Sequence, residues 1–221
     1  MAGRKTLLAC LAVAALVAAT AACSSASSTS GGTSKAAGLI LINSSPYKGD
    51  IIAPVAKPTP LMTDDQTGKP YNIAAMTRGT VTLLYFGYTT CPDQCPLTMS
   101  NIAAALKTLP ESEAAKVKVL FVTVDPDHDT LARLRYWLGQ FDPAFIGLRG
   151  TLGQIQQAAH ETGVPVGSAP IRGPDGTYAF QHGTEVLAYS TNGSAYESFF
   201  PSTPPVNIAH DLALQVAGHH P

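Results

Sequence analysis

The chain has 221 residues, 13% of them charged and 45% apolar, with a formal net charge of −1 and four cysteines. A near-neutral balance without a Lys/Arg cluster argues against nucleic acid as a partner. No internal repeat is visible, so the arrangement is one domain with attached segments rather than an array.

Arg4 and Lys5 precede an apolar run, residues 6–19, that ends in Thr20-Ala21-Ala22-Cys23. A basic start, an apolar stretch short for a bilayer span and a small-residue cleavage site describe a secretory leader, here residues 1–22. The small residues followed by Cys23 and a Ser/Thr/Gly tract resemble the lipobox of bacterial lipoproteins. That resemblance implies lipid attachment at Cys23; an ordinary secretory signal and an uncleaved anchor are the alternatives. All three place the domain outside the cytoplasm, and the lipidated form on the extracytoplasmic face of the plasma membrane. Losing the leader shifts the formal charge to about −3, because two cations and no acid leave with it.

Residues 23–44 are Ser/Thr/Gly/Ala-rich and predict a flexible linker. Pro46, Pro54, Pro58 and Pro60 then suggest an extended arm. Leu61–Thr63 and Lys69–Ile73 flank a turn-rich Asp64-Asp65-Gln66-Thr67-Gly68, the signature of an N-terminal hairpin. Val81–Phe86 is a buried-strand run, and Ile102, Ala103, Leu106 and Leu109 recur at helical spacing behind it. Val117–Val124 predicts a second strand, and 130–140 a helix that Asp129 is expected to cap. A short strand at Ala144–Leu148 and a helix capped by Thr151 follow. A Gly/Pro-rich loop leads to strands at Tyr178–Phe180 and Val186–Ser190. Asn192-Gly193 signals a type I′ turn, and 205–217 a final helix. Strands alternating with helices, then a terminal hairpin, predict an α/β sandwich around a mixed β-sheet flanked by helices. The domain spans 45–217, and 218–221 form a tail.

Between the first long strand and its helix lies Phe86-Gly87-Tyr88-Thr89-Thr90-Cys91-Pro92-Asp93-Gln94-Cys95-Pro96. A helix N-terminus favours thiolate over thiol, and Pro96 suits a first turn, where its missing N–H costs nothing. Cys91 and Cys95 are four apart and share a face if the helical turn begins early. Such a pair chelates a soft metal or closes a disulfide; two inert cysteines are the third reading. With Cys10 in the leader and Cys23 acylated, they are the thiols left in an oxidising compartment.

The double-cysteine motif resembles the signature of the Sco/SenC copper chaperones. Val124-Asp125-Pro126-Asp127-His128-Asp129-Thr130 resembles the family's second motif, and Leu148-Arg149-Gly150-Thr151 its third. His182 matches the family's metal-binding histidine. The order is kept over residues 45–217, although Leu131 stands where a proline usually follows Asp-Thr. The resemblance implies a thioredoxin-like fold and a copper site made by Cys91, Cys95 and His182. It further implies delivery of copper, received from an upstream donor protein, to the dinuclear copper centre of cytochrome c oxidase subunit II.

Copper(I) is soft and suits two thiolates and an imidazole; copper(II) would take a further ligand or water. Asp125 is the first candidate to orient the imidazole through a hydrogen bond. Of the other histidines, His128 reads as a solvated loop residue, His160 as a helix-end cation, His210 as a surface residue, and His219 and His220 as a frayed tail. Met99 reads as core. The alternative function is a thiol–disulfide oxidoreductase that keeps the acceptor's cysteines reduced, with Cys91 and Cys95 as the redox pair. Three residues between the cysteines, where dedicated reductants usually have two, favour metal. A peroxiredoxin-type peroxidase would place a proline seven residues before its reactive cysteine; Leu84 stands there.

Overall fold

The computed structural model describes residues 45–174 and 178–221. The leader 1–22 and the whole linker 23–44, Cys23 included, fall outside these residues. No helix among the described residues is long and apolar enough to cross a membrane.

The centre of the fold is β4 (Val81–Gly87), buried at every position. A strand buried on both faces requires cover on both sides of the sheet, which is why its sequence is continuously apolar or β-branched. It pairs in parallel with β5 (Val117–Thr123), residue for residue from Val81↔Val117 to Gly87↔Thr123. β6 (Ile146–Arg149) continues the parallel run beside β5. On the other side of β4 lies antiparallel β9 (Val186–Tyr189), followed by β10 (Ser194–Phe199) and β1 (Asp50–Ala56). The hairpin of β2 (Met62–Asp64) and β3 (Pro70–Tyr71) extends the sheet beyond β6. The result is an eight-stranded mixed sheet ordered β1-β10-β9-β4-β5-β6-β2-β3. The α/β sandwich and its N-terminal hairpin are thus both present.

Several expectations change in the structure. The proline-rich arm contains an edge strand, β1, whose register shifts between Ile51 and Val55, around Pro54. Proline lacks the ladder N–H and is tolerated at a sheet edge next to such an irregularity. The β9–β10 turn holds three residues rather than two. Gly193 N–H donates to the Ser190 carbonyl at 2.9 Å, Ser190 N–H to the Ser194 carbonyl at 3.0 Å, and Gly193 has φ +94°. That is a turn closed by one left-handed residue, which glycine adopts without steric cost.

Short helices α1 (Ile73–Met76) and α3 (Glu111–Ala114) lie in the connections. The longer ones are α2 (Gln94–Thr108), α4 (Leu131–Leu138), α5 (Leu152–Thr162) and α6 (Pro205–Val216). α2 packs on α6, α4 on β6 and α5 against β1. α5 opens with a complete capping box in which Thr151 and Gln154 satisfy each other's backbone N–H groups. Thr130, not Asp129, caps α4: its hydroxyl accepts from Arg133 N–H at 3.2 Å. Asp129 is wholly buried and takes Thr89 N–H at 3.1 Å and the Thr123 hydroxyl at 2.6 Å, besides the Thr89 hydroxyl. It therefore ties the loop after β4 to the end of β5.

This topology places the loops after β4 and β5 at one end of the sheet. β9 runs antiparallel to β4, with Leu84 opposite Leu187. Its entrance therefore lies where β4 exits, and the segment holding His182 arrives beside the cysteine loop.

Candidate metal centre

Cys91 sits in the turn after β4, its N–H bonded to the Tyr88 carbonyl at 3.2 Å. Cys95 occupies the second position of α2 and is buried, whereas Cys91 is half-buried. The helix begins at Gln94, so the pair does not share a helical face. Instead the loop folds Cys91 back over the helix start, where its sulfur accepts the N–H of Cys95 at 3.4 Å. A cysteine sulfur here takes the place of an N-capping oxygen, whose role is to accept a first-turn N–H. Gly87 makes room for this: a Cβ there would lie 2.8 Å from the Tyr85 ring, 2.9 Å from Phe121 and 3.0 Å from the Cys95 sulfur.

His182 reaches the pair from residues 178–185. Its Nε2 is 3.8 Å from the Cys95 sulfur, and one donor atom each from Cys91, Cys95 and His182 fall within 4.8 Å of one another. A trigonal site with metal–sulfur and metal–nitrogen bonds of about 2.3 and 2.0 Å has a sulfur–nitrogen edge of about 3.7 Å. The observed separation matches, and two sulfurs with one imidazole suit a soft ion. Cys91 and His182 are half-exposed, so the site opens to solvent on their side.

The sulfurs differ electronically. The Cys95 thiol holds Cys91 well below the usual thiol range; His182 and the backbone N–H groups of Cys95 and Asp93 assist, against the effect of burial. Cys95 is pushed up by its bond to Cys91, by burial and by the charge on Cys91. Both shifts favour negative charge on Cys91 over Cys95.

Three residues that wall the site carried no assigned role in the sequence. Tyr85 and Tyr88 meet the His182 ring edge-on, with centroids at 6.0 and 5.7 Å, and Phe180 packs on Tyr88 at 5.8 Å. The Tyr85 hydroxyl donates to the Cys95 sulfur at 3.6 Å. Their placement around the motif, at positions 85 and 88, was the available signal.

The orienting partner of the imidazole differs from expectation. His182 Nδ1 donates to the carbonyl of Gly183 at 2.7 Å, which turns Nε2 toward the sulfurs. Asp125 does not serve here; its carboxylate takes His128 Nδ1 at 2.9 Å and the Tyr178 hydroxyl. A backbone carbonyl leaves no trace in residue type, so only the fold reveals it. His128, expected to be merely solvated, is exposed but fixed by Asp125. His210 binds Asp211 at 2.7 Å, His220 stacks on Tyr196, and Met99 is core. Apart from this trio, no group of three or more potential metal-binding side chains occurs among the described residues.

Fold and site together define a thioredoxin-like α/β protein with a Cys-Cys-His centre at the carboxyl ends of its parallel strands. The sequence profile of SCO1/SenC matches residues 59–217, and the chain belongs to that family. A SCO2-like protein of Rickettsia conorii is 30% identical over 148 residues, covering 67% of this chain and 71% of that one. A Stutzerimonas stutzeri protein named for copper binding is 30% identical over 130 residues, 59% of this chain and 62% of its own length. The match thus takes in less than two thirds of that relative. Among solved structures, Bradyrhizobium japonicum ScoI with copper bound is 30% identical, with a TM-score of 0.64, covering 73% of this chain and 99% of that one. Apo Sco1 of Thermus thermophilus is 28% identical, with a TM-score of 0.66 and coverage of 76% and 95%.

Proposed function

We propose that this chain binds copper through Cys91, Cys95 and His182 and hands it to the dinuclear copper centre of cytochrome c oxidase subunit II. The observation that carries this reading is the convergence of two sulfurs and an imidazole within 4.8 Å. The solved relative with copper bound supports it. Copper(I) is the state that three soft donors favour, and copper(II) would add a fourth ligand. Transfer is ligand exchange: the acceptor's thiolates and imidazoles displace those of the donor on the exposed side of Cys91 and His182. An upstream copper donor loads the site by the same exchange. No substrate is turned over in that step.

In this reading the leader 1–22 is removed and Cys23 carries lipid. The linker 23–44 holds the domain 45–217 off the extracytoplasmic face of the plasma membrane. Titration of the reduced protein with copper(I) against a competing chelator tests the centre. Cys91→Ser and Cys95→Ser abolish tight binding and His182→Ala weakens it; unchanged affinity in the cysteine variants would sink the proposal.

A second reading is favoured by the electronic asymmetry of the sulfurs. A thiolate at Cys91 beside a thiol at Cys95 is the arrangement of a disulfide reductase. Cys91 attacks an acceptor disulfide, forming a mixed disulfide and releasing one acceptor thiolate. Cys95 then loses its proton and attacks Cys91, releasing the second thiolate and leaving this chain oxidised by two electrons. Efficient reduction of an acceptor disulfide by the metal-free protein would favour this role.

A further inference from the structure

The backbone bonds nearest to His182 tie it to the loop after α5, not to the cysteines. Gly167 N–H donates to the Gln181 carbonyl and Gly183 N–H to the Pro165 carbonyl, each at 2.7 Å, around a bridge between Val166 and His182. The chain before it forms a two-stranded ribbon, β7 (Ile171–Arg172) and β8 (Tyr178–Ala179), outside the main sheet. Such a ribbon is marginal by itself and needs other contacts to hold its position.

Tyr178 supplies a contact across to the cysteine loop. Its hydroxyl donates to Asp125 Oδ2, so the 3.2 Å bond to Thr90, the residue before Cys91, is one in which Tyr178 oxygen accepts. Asp125 is an anchored partner, 1% exposed. Its N–H is bonded to the Thr123 hydroxyl at 3.0 Å, and its other carboxylate oxygen to His128. From Tyr178 an aromatic row continues through Phe180, at 6.1 Å, to Tyr88 and the His182 ring.

We propose that Tyr178 is a positioning residue whose hydroxyl clasps the His182 ribbon to the cysteine loop through Asp125 and Thr90. With the clasp closed, the imidazole faces Cys91 and Cys95; with it open, the ribbon carries the imidazole away and leaves a two-sulfur site. The copper consequence rests on the reading of this centre as a copper site, whereas the mechanical claim does not.

Tyr178→Phe keeps the ring and removes only the hydroxyl. In the metal-free protein, amide hydrogen exchange over 178–183 is expected to quicken about tenfold, as loss of one hydrogen bond to a carboxylate predicts. Exchange in β4 and α2 stays at the wild-type rate. Asp125→Asn in the Tyr178→Phe background adds less than it does alone, since both changes open the same clasp. In copper(I)-loaded Tyr178→Phe, X-ray absorption shows two sulfurs and a weakened imidazole contribution, and copper passes to a chelator about tenfold faster. Unchanged exchange over 178–183, or exchange raised equally in β4 and α2, overturns the clasp. Copper binding indifferent to Cys91→Ser overturns the metal reading instead, and the exchange measurement then decides the clasp alone.

Discussion

The N–H of Cys95 donates to the sulfur of Cys91 across 3.4 Å, which makes the helix start part of the site rather than its support. The bond stabilises negative charge on the outer, half-exposed sulfur, while the inner sulfur stays buried under Tyr85. Iodoacetamide at neutral pH is therefore expected to label Cys91 at least about tenfold faster than Cys95, because the thiolate is the nucleophile. Peptide mapping after brief alkylation gives the ratio; equal labelling would contradict the asymmetry.

At Gly87, space rather than conformation dictates glycine. A methyl group there would overlap Tyr85, Phe121 and the Cys95 sulfur. Gly87→Ala is expected to destabilise the fold by about 1–3 kcal/mol, the usual cost of an overpacked core. Urea unfolding measures that loss, and on the proposed copper site affinity falls with it, because the Cys95 sulfur is one of the three groups crowded.

Asp129 is a structural knot that ties down the loop carrying Cys91. Asp129→Ala strips Thr89 and Thr123 of their shared buried acceptor. A loss of about 2–4 kcal/mol in unfolding free energy follows from leaving several buried donors unpaired. One copper per chain should still bind in the folded fraction, as isotope-dilution mass spectrometry of the loaded variant would show.

Glu197, wholly buried on β10, gives the protein a pH dependence. Burial and the neighbouring Asp211 carboxylate push it up to about 9, against Gln215 and Gly49, which donate to it. The folded chain holds this proton more tightly than the unfolded chain, whose carboxyl titrates at 4.5. The contribution is therefore complete below pH 4.5 and is lost as pH rises toward 9. In that window the unfolded state binds fewer protons, so stability falls with pH by at most about 1.4 kcal/mol per unit. Denaturant melts at pH 5, 7 and 9 should show the decline, and Glu197→Gln should flatten it.

The strand, cysteine turn and helix were legible because each is a local pattern: a continuous apolar run, two sulfurs four apart, then a period of 3.6. The hairpin at 61–73 and the cap at Thr151 were legible for the same reason. Asp125 and Asp129 were misassigned because a carboxylate's partner depends on what the chain brings near it. Thr89 and Tyr178 lie forty and fifty-three residues away from them. β1 was hidden because an edge strand's pairing belongs to β10, at the far end of the domain.

By itself the sequence determined the element order and the covalent spacing of the sulfurs, and through resemblance it pointed to His182 as the proposed third donor. Tertiary structure decided how these meet. The antiparallel run of β9 beside β4 brings the imidazole to the cysteines, and the Gly183 carbonyl selects which nitrogen faces them. Both depend on contacts between residues remote in the chain, and no local pattern of side chains encodes where a backbone carbonyl will point.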